Sequence, residues 1–552
     1  MLFSSSHSSP RYSNLCGSSD ALALAQLALQ KSPLVVIAAN ALEAQRLLEE
    51  IPFFAPTLRV HLLPDWETLP YDNFSPHQDL ISERLATLHH IRSNACDVVI
   101  VPITTALYPL PPVEHLAAYT FFLKRKEKLN IVQLREQLGI AGYNHVQQVL
   151  TPGEYCVRGG IIDLFAMGSV LPYRIDLFDD EIETIATFDV DTQRTLYPVP
   201  EIRLLPAREF PLDEKGQATF RQNFRDRFEG DPARSRIYKD ISKGIAPSGI
   251  EYYLPLFFEK TATLFDYLPR HATLCLHHNV DEAIAQFGKD AASRYNLLRG
   301  DPQRPLLETK ELFLDGEQFF IRVKEFARVD IVQNKTPSNS PLSGGELASS
   351  ADKGRSGGVA CSTAALPNIA VDRRAENPLN AFQSFLKGYS GRVLLLADSL
   401  GRREIMSGYL QEYGIKPALC ENYAAFLASS EKFMLATALV QNGFSLSNTH
   451  LAVVTESELY AAQARSRSVR AAKKSNIEHM LRDLSELKVG DPVVHEQHGI
   501  ARYQGLVNLD LGEGENEFLL LEYAGNDKLY VPVAQLHVIS RYSGGAAESA
   551  PL

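Results

Sequence analysis

The sequence predicts a mixed α/β protein of several domains, with an α+β domain inserted early and a small all-β module late. Three observations lead there. Between residues 20 and 120, short apolar runs alternate with helical stretches, the pattern of a parallel sheet covered by helices. Between 120 and 205 the chain changes to turn-rich, strand-like segments. Residues 488–545 carry only strand signals, among them Glu517–Tyr523 and Lys528–Val533 joined through Ala-Gly-Asn-Asp, a hairpin in a module small enough for a barrel.

The elements follow in order. Ala21–Gln30 and Leu42–Ile51 read as helices, and Leu34–Ala38 and Val98–Val101 as buried strands, within a first α/β part at 1–120. An inserted domain at 121–206 begins with helical Leu123–Gly139 and continues with strand-like Glu154–Phe165 and Tyr173–Phe178. Residues 207–333 are helix-rich. Residues 334–363 hold too little apolar sequence for a core and read as a flexible linker. A second α/β domain spans 364–457, with strands expected at Val393–Asp398, Phe433–Val440 and Leu451–Val454. A helical connector at 458–487 carries Arg465, Arg467, Arg470, Lys473 and Lys474.

Composition narrows the function. The hydrophobic share of 45% and charged share of 22% are those of globular protein. A net charge of -11 weighs against a protein whose main task is to grip phosphate backbones, while leaving a local basic patch open. Cys16, Cys96, Cys156, Cys275, Cys361 and Cys420 form no CxxC pair, so neither a disulfide framework nor a zinc site is expected and a reducing cytoplasm is the natural reading. The N-terminal MLFSSSHSSP lacks the layout of a secretory signal. No run approaches the roughly 20 apolar residues of a membrane helix.

A P-loop requires GxxxxGK[ST], whose amides cradle phosphate and whose lysine neutralises it. The nearest stretch, Cys16–Ala21, lacks the lysine and brings in Asp20, which repels phosphate. It reads as an ordinary helix start capped by Ser19 or Asp20. No acidic box follows a strand, so ATP hydrolysis is not expected.

In Tyr173–Phe178 the period of two puts Arg174, Asp176 and Phe178 on one face. On Glu154–Arg158 it puts Cys156 with Arg158. Arginines beside an exposed aromatic suit an interface, and a solvated face with incidental ion pairs fits the same pattern. The acidic run Phe178–Glu183, with Asp189 and Asp191, reads as a solvated hairpin tip rather than a metal site. His495 and His498 flank Glu496 without a third ligand group and read as a structural turn. The basic connector reads as a solvated helix.

Trp66–Asp72, Ser75-Pro76 and Glu83-Arg84 resemble the N-terminal domain of bacterial transcription-repair coupling factors (Mfd). Gly153–Phe165 and Leu171–Ile182 resemble the domain that family shares with the excision protein UvrB. Asp491–Tyr503 and Lys528–Val533 resemble its RNA-polymerase-interacting module, also found in CarD-type regulators. The resemblance implies a degenerate helicase-like α/β domain with an inserted α+β UvrB-like domain, a second α/β domain and a small SH3/Tudor-like barrel. It further implies that the inserted domain binds UvrA through Arg158, Arg174 and Phe178. The β module is expected to bind the RNA polymerase β subunit along an exposed edge bearing Arg502, Leu506 and Leu509.

The sequence departs from UvrB in lacking the P-loop and in having too few residues between Trp66 and Arg84 for UvrB's DNA-clamping hairpin. The family's chain continues into an ATP-driven translocase, so this chain is expected to be a motor-less fragment. ATP, magnesium and most DNA contact then belong to the absent motor domains, and no cofactor is expected here. A cytoplasmic monomer that does not engage membranes completes the expectation. The alternative is a polymerase- and DNA-binding transcription regulator without a repair role, which would have no need of the UvrB-like domain.

Overall fold

The computed structural model describes residues 10–332, 358–372, 374–460, 490, 492–495, 499–510, 515–523, 528–532 and 539–541. The expected linker from 334 to 357, the connector from 461 to 487 and His498 lie outside them. The architecture is mixed α/β with several sheets, in two units, 1–459 and 460–552.

The first sheet is parallel throughout. Its strand order is Gly358–Ala360, Arg11–Ser13, Ala327–Ile331, Thr273–His277, Leu34–Ala38, Val98–Pro102 and Val60–Leu62. Every residue of Leu34–Ala38, Val98–Pro102 and Thr273–His277 is buried, as a parallel sheet covered on both faces requires. The period of two divides these strands between two cores. Leu34, Val36, Val98, Ile100 and Cys275 share one with helices Ser19–Ala28 and Ala41–Phe54. Val35, Ile37, Val99, Val101, Leu274 and Leu276 share the other with Leu85 and Leu88 of helix Gln78–Arg92 and Phe287 of helix Val280–Leu298.

Two features differ from the sequence reading. The helix-rich stretch 207–333 also supplies two central strands, Thr273–His277 and Ala327–Ile331. Residues assigned to the end of the linker pair instead: Gly358–Ala360 with Arg11–Ser13, and Thr363, at the start of the two-residue strand Thr363–Ala364, with Leu446.

The insertion leaves this layer through a two-stranded stem, Phe121–Lys124 against Glu201–Leu204. The expected helix from Leu123 therefore begins later, at Ile131–Ile140, where the Asn130 side chain accepts hydrogen bonds from the amides of Val132 and Gln133. The six-stranded sheet of the insertion runs Thr195–Pro198, Glu181–Phe188, Tyr173–Phe178, Ile161–Leu164, Glu154–Arg158, Asn144–His145. The second α/β domain has a mixed sheet ordered Thr363–Ala364, Phe444–Leu446, Leu451–Thr455, Arg392–Ala397, Phe433–Thr437, Ala418–Leu419.

The other unit is one antiparallel sheet, ordered Lys528–Pro532, Glu515–Glu522, Gly499–Asp510, Pro492–His495, Ile539–Arg541. Its small core holds Val493, Ala501, Leu519, Leu521 and Val531.

The Trp66–Arg84 stretch is a packing hub. The Trp66 ring lies 4.6 Å from Tyr108 and 5.7 Å from Tyr252, and its Nε1 donates to Glu209. Arg84 Nε donates to the same carboxylate at 2.8 Å and Nη1 donates to the Pro64 carbonyl at 2.8 Å. The loop between them is pinned from afar: Tyr71 Oη donates to the Leu307 carbonyl, and Arg304 donates to the carbonyls of Tyr71 and Asp72. Ser75 Oγ donates to Glu251 and accepts from the Gly249 amide. Gly249 has φ of 73°, and a Cβ there would meet the Asp72 carbonyl oxygen at 2.6 Å, so only glycine closes this loop.

Glu251 carries a pH signature. Burial pushes its carboxyl up to about 7, against the lowering effect of hydrogen bonds from its own backbone and Ser75. A folded-state pKa above the unfolded one means that its favourable contribution is complete below the ordinary value near 4.5 and is lost as pH rises through 7. Glu251→Gln is therefore expected to leave the melting temperature unchanged near pH 4 and to stabilise by roughly 3 kcal/mol at pH 8. Thermal melts of both proteins across that range check it.

Candidate protein-docking surfaces

The hairpin Glu154–Arg158 to Ile161–Leu164 turns on Gly159-Gly160, with Gly159 at φ of 62°, as a two-residue hairpin demands. The strand Tyr173–Phe178 pairs with Ile161–Leu164, not with Glu154–Arg158. The intervening strand places Asp163 directly opposite both Cys156 and Arg174, and Ile161 directly opposite both Arg158 and Asp176. One sheet face therefore carries Arg158, Ile161, Asp163, Arg174, Asp176 and Phe178.

Their environments differ. Phe178 is 75% exposed, beside the hairpin tip Asp179-Asp180 where the acidic run turns. The tip carries ion pairs from Lys128 to Asp180 at 2.8 Å and from Lys126 to Glu181 at 3.1 Å. Arg158 has a 56% exposed side chain, with Nη2 2.5 Å from Asp163 Oδ2. Arg174 is only 17% exposed. It donates to both Asp163 oxygens at 2.7 and 3.0 Å and to the Gln193 carbonyl at 3.0 Å, and it lies 4.8 Å over the buried Phe188 ring. Asp163 is 2% exposed. Arg174 is thus fixed between a buried carboxylate and an aromatic ring. Sequence reading missed Asp163 and Ile161, although the Gly-Gly turn was the signal that would have revealed their strand.

In the antiparallel unit, Gly499–Asp510 pairs with Glu515–Glu522 along most of its length, and with Pro492–His495 only along Gly499–Arg502. Beyond Arg502 that second flank has no strand partner among the described residues. Arg502 Nη1 donates to the Gly490 carbonyl at 3.0 Å. Gly505, at φ of 108°, sits at a register shift between Tyr503 and Leu506, a bulge that bends the strand. Leu506 lies opposite Leu519 and Leu509 opposite Asn516. The side chains of Leu506 and Leu509 lie outside the described residues.

Three family models match parts of the chain. The UvrB interaction domain matches residues 121–210, the MFD D3 domain residues 385–459 and the CarD-like/TRCF RID domain residues 487–543. The transcription-repair-coupling factor of Haemophilus influenzae is 40% identical across 98% of this chain and 46% of its own length. That of Escherichia coli is 39% identical across 98% of the chain and 45% of its own length, and that of Bacillus subtilis 26% identical across 94% and 44%. The chain matches the N-terminal region of transcription-repair-coupling factors. It spans about half the length of the curated coupling factors it matches.

The loop nearest in sequence to a P-loop is occupied by protein. Helix Ser19–Ala28 is preceded by Ser18, and no side chain caps it, which corrects the expected cap by Ser19 or Asp20. Asp20 instead receives both Arg46 Nη atoms, at 3.0 and 2.6 Å, and lies 2.9 Å from His277 Nε2. Burial alone would raise the Asp20 carboxyl, but Arg46 and His277 outweigh it and hold the group well below the usual carboxylate range. Arg46 also binds Glu50 at 2.7 Å, and Ser18 Oγ donates to Glu50 at 2.8 Å. The second α/β domain closes the loop: the Gln441 amide donates to Glu50, the Asn442 amide to Ser18 Oγ and the Ser18 amide to the Asn442 carbonyl. Asp20, His277 and His278 place one ligand atom each within 4.8 Å of one another. The Arg46 guanidinium is bound to the same Asp20 carboxylate.

Proposed function

We propose that this chain is the adaptor region of a transcription-repair coupling factor, joining stalled RNA polymerase, through its β subunit, to UvrA and so to nucleotide excision repair. The observation that carries the reading is the presence in one chain of a UvrB interaction domain and a CarD-like/TRCF RID domain. The exposed Phe178 and Arg158 supply the first with a docking face. The one-sided strand beyond Arg502 supplies the second with backbone groups for strand addition. A pull-down of purified UvrA and polymerase β subunit with this chain tests it, and failure to retain either partner refutes it.

A finer reading belongs to the same proposal. The first parallel layer is read as a degenerate helicase-like domain and the antiparallel unit as a small SH3/Tudor-like barrel. The Asp20–Arg46–Glu50 network, closed over by residues 441–443, is read as replacing nucleotide chemistry. ATP-driven translocation on DNA, with its magnesium, is then work for the remainder of a longer protein, and this region acts without a cofactor as a cytoplasmic monomer. No helix among the described residues is long and apolar enough to cross a membrane.

Polymerase binding is expected to depend on Leu509. Leu509→Arg puts a charge into an apolar contact, where an unpaired buried charge costs several kcal/mol. Affinity for the β subunit is expected to fall more than tenfold with an unchanged circular dichroism spectrum. Unchanged affinity would move the contact to another face.

A further inference from the structure

We infer that Asp163 is the positioning residue of the inserted domain's docking face, and that it acts through Arg158. The inference rests on the reading of that face as a protein-binding surface. The Arg158 side chain is long and more than half exposed; unrestrained, it would lose rotamer freedom on binding. Asp163 sits one pairing step away and presents a carboxylate at 2% exposure. Its Oδ2 lies 2.5 Å from Arg158 Nη2, while its two oxygens also hold Arg174 Nε and Nη2.

The two arginines consequently divide the work. Arg174 spends its fork on Asp163 and Gln193 and stacks on Phe188, which fixes the carboxylate in place. Arg158 touches that fixed carboxylate through Nη2, and among the described residues its Nε and Nη1 have no hydrogen bond that would compete with a partner. Ile161, directly opposite Arg158 and 39% exposed, continues the apolar part of the face beside Phe178. Asp163 and Asp176 offset the charges of Arg158 and Arg174 on this face, so what stays open beside the two apolar side chains is the Nε and Nη1 donors of Arg158. The partner chemistry that fits is a protein surface offering a carboxylate or carbonyl acceptor to Arg158 beside an apolar recess, and in this reading that partner is UvrA.

The test is a double-mutant cycle on UvrA affinity, with melting temperature recorded for every protein. Asp163→Asn keeps shape and removes charge. Asp163→Asn and Arg158→Ala are each expected to weaken binding about tenfold, and the double variant to bind within about twofold of Arg158→Ala alone. Wild-type affinity for Asp163→Asn, or a full tenfold loss that persists in the Arg158→Ala background, overturns the inference, because a purely structural role would not depend on Arg158. If Asp163→Asn does not fold, Arg158→Lys takes its place. Lysine keeps the charge but not the planar fork, so affinity close to that of Arg158→Ala is expected, and wild-type affinity overturns the positioning role. Should Phe178→Ala and Arg158→Ala both bind as wild type, the docking reading itself fails, separately from the role of Asp163.

Discussion

Arg84→Met is expected to destabilise the first α/β domain by roughly 3–5 kcal/mol, the range for breaking a buried ion pair from one side. Arg84 and Glu209 are 1% and 2% exposed, and Glu209 also accepts the Trp66 indole N–H. Removing the guanidinium leaves Glu209 charged, buried and held by one neutral donor. It also strips the cation from above the Trp66 ring, 5.2 Å away. At 2–4 °C per kcal/mol for a domain of this size, the melting temperature is expected to fall on the order of 10 °C. Arg84→Met combined with Glu209→Gln is expected to recover most of the loss, since no uncompensated charge remains. Thermal melts of the single and double variants decide this, and a double variant as unstable as Arg84→Met would place the cost in packing instead.

The second large effect is Phe178→Ala. The ring is 75% exposed, so its removal leaves no cavity and the melting temperature is expected to stay within about 1 °C. UvrA affinity is expected to drop about thirtyfold, the loss typical of an interface anchor. Arg174→Ala is expected to behave differently. It leaves Asp163 with Arg158 as its remaining cation and uncovers Phe188, so the melting temperature falls along with binding. Calorimetric titration and thermal melts on the same two variants separate a side chain that touches the partner from one that holds the surface.

Much of the fold was legible because its signals are local. Leu34–Ala38 and Val98–Val101 are unbroken β-branched and aliphatic runs, and both became central buried strands. Thr273–His277 was missed because it carries threonine and histidine and sits between helices; only pairing with Leu34–Ala38 and Ala327–Ile331 makes it a strand. Gly358–Ala360 was hidden in a glycine- and serine-rich stretch and is defined by its long-range partner Arg11–Ser13. On the proposed docking face, the period of two grouped Arg174 with Asp176 and Phe178, and Arg158 with Cys156. It said nothing about which strands are neighbours, so the strand carrying Ile161 and Asp163, and with it the different standing of the two arginines, emerged only from the register.

The adaptor claim is tested most directly by bridging. Polymerase β subunit is immobilised, and UvrA is added with this chain, with the Phe178→Ala variant, with the Leu509→Arg variant or with neither. The account predicts that UvrA is retained only with the wild-type chain; Phe178→Ala should stay on the beads without UvrA, and Leu509→Arg should leave with UvrA in the wash. UvrA retained equally by wild type and Phe178→Ala, or absent from beads loaded with the wild-type chain, would contradict it.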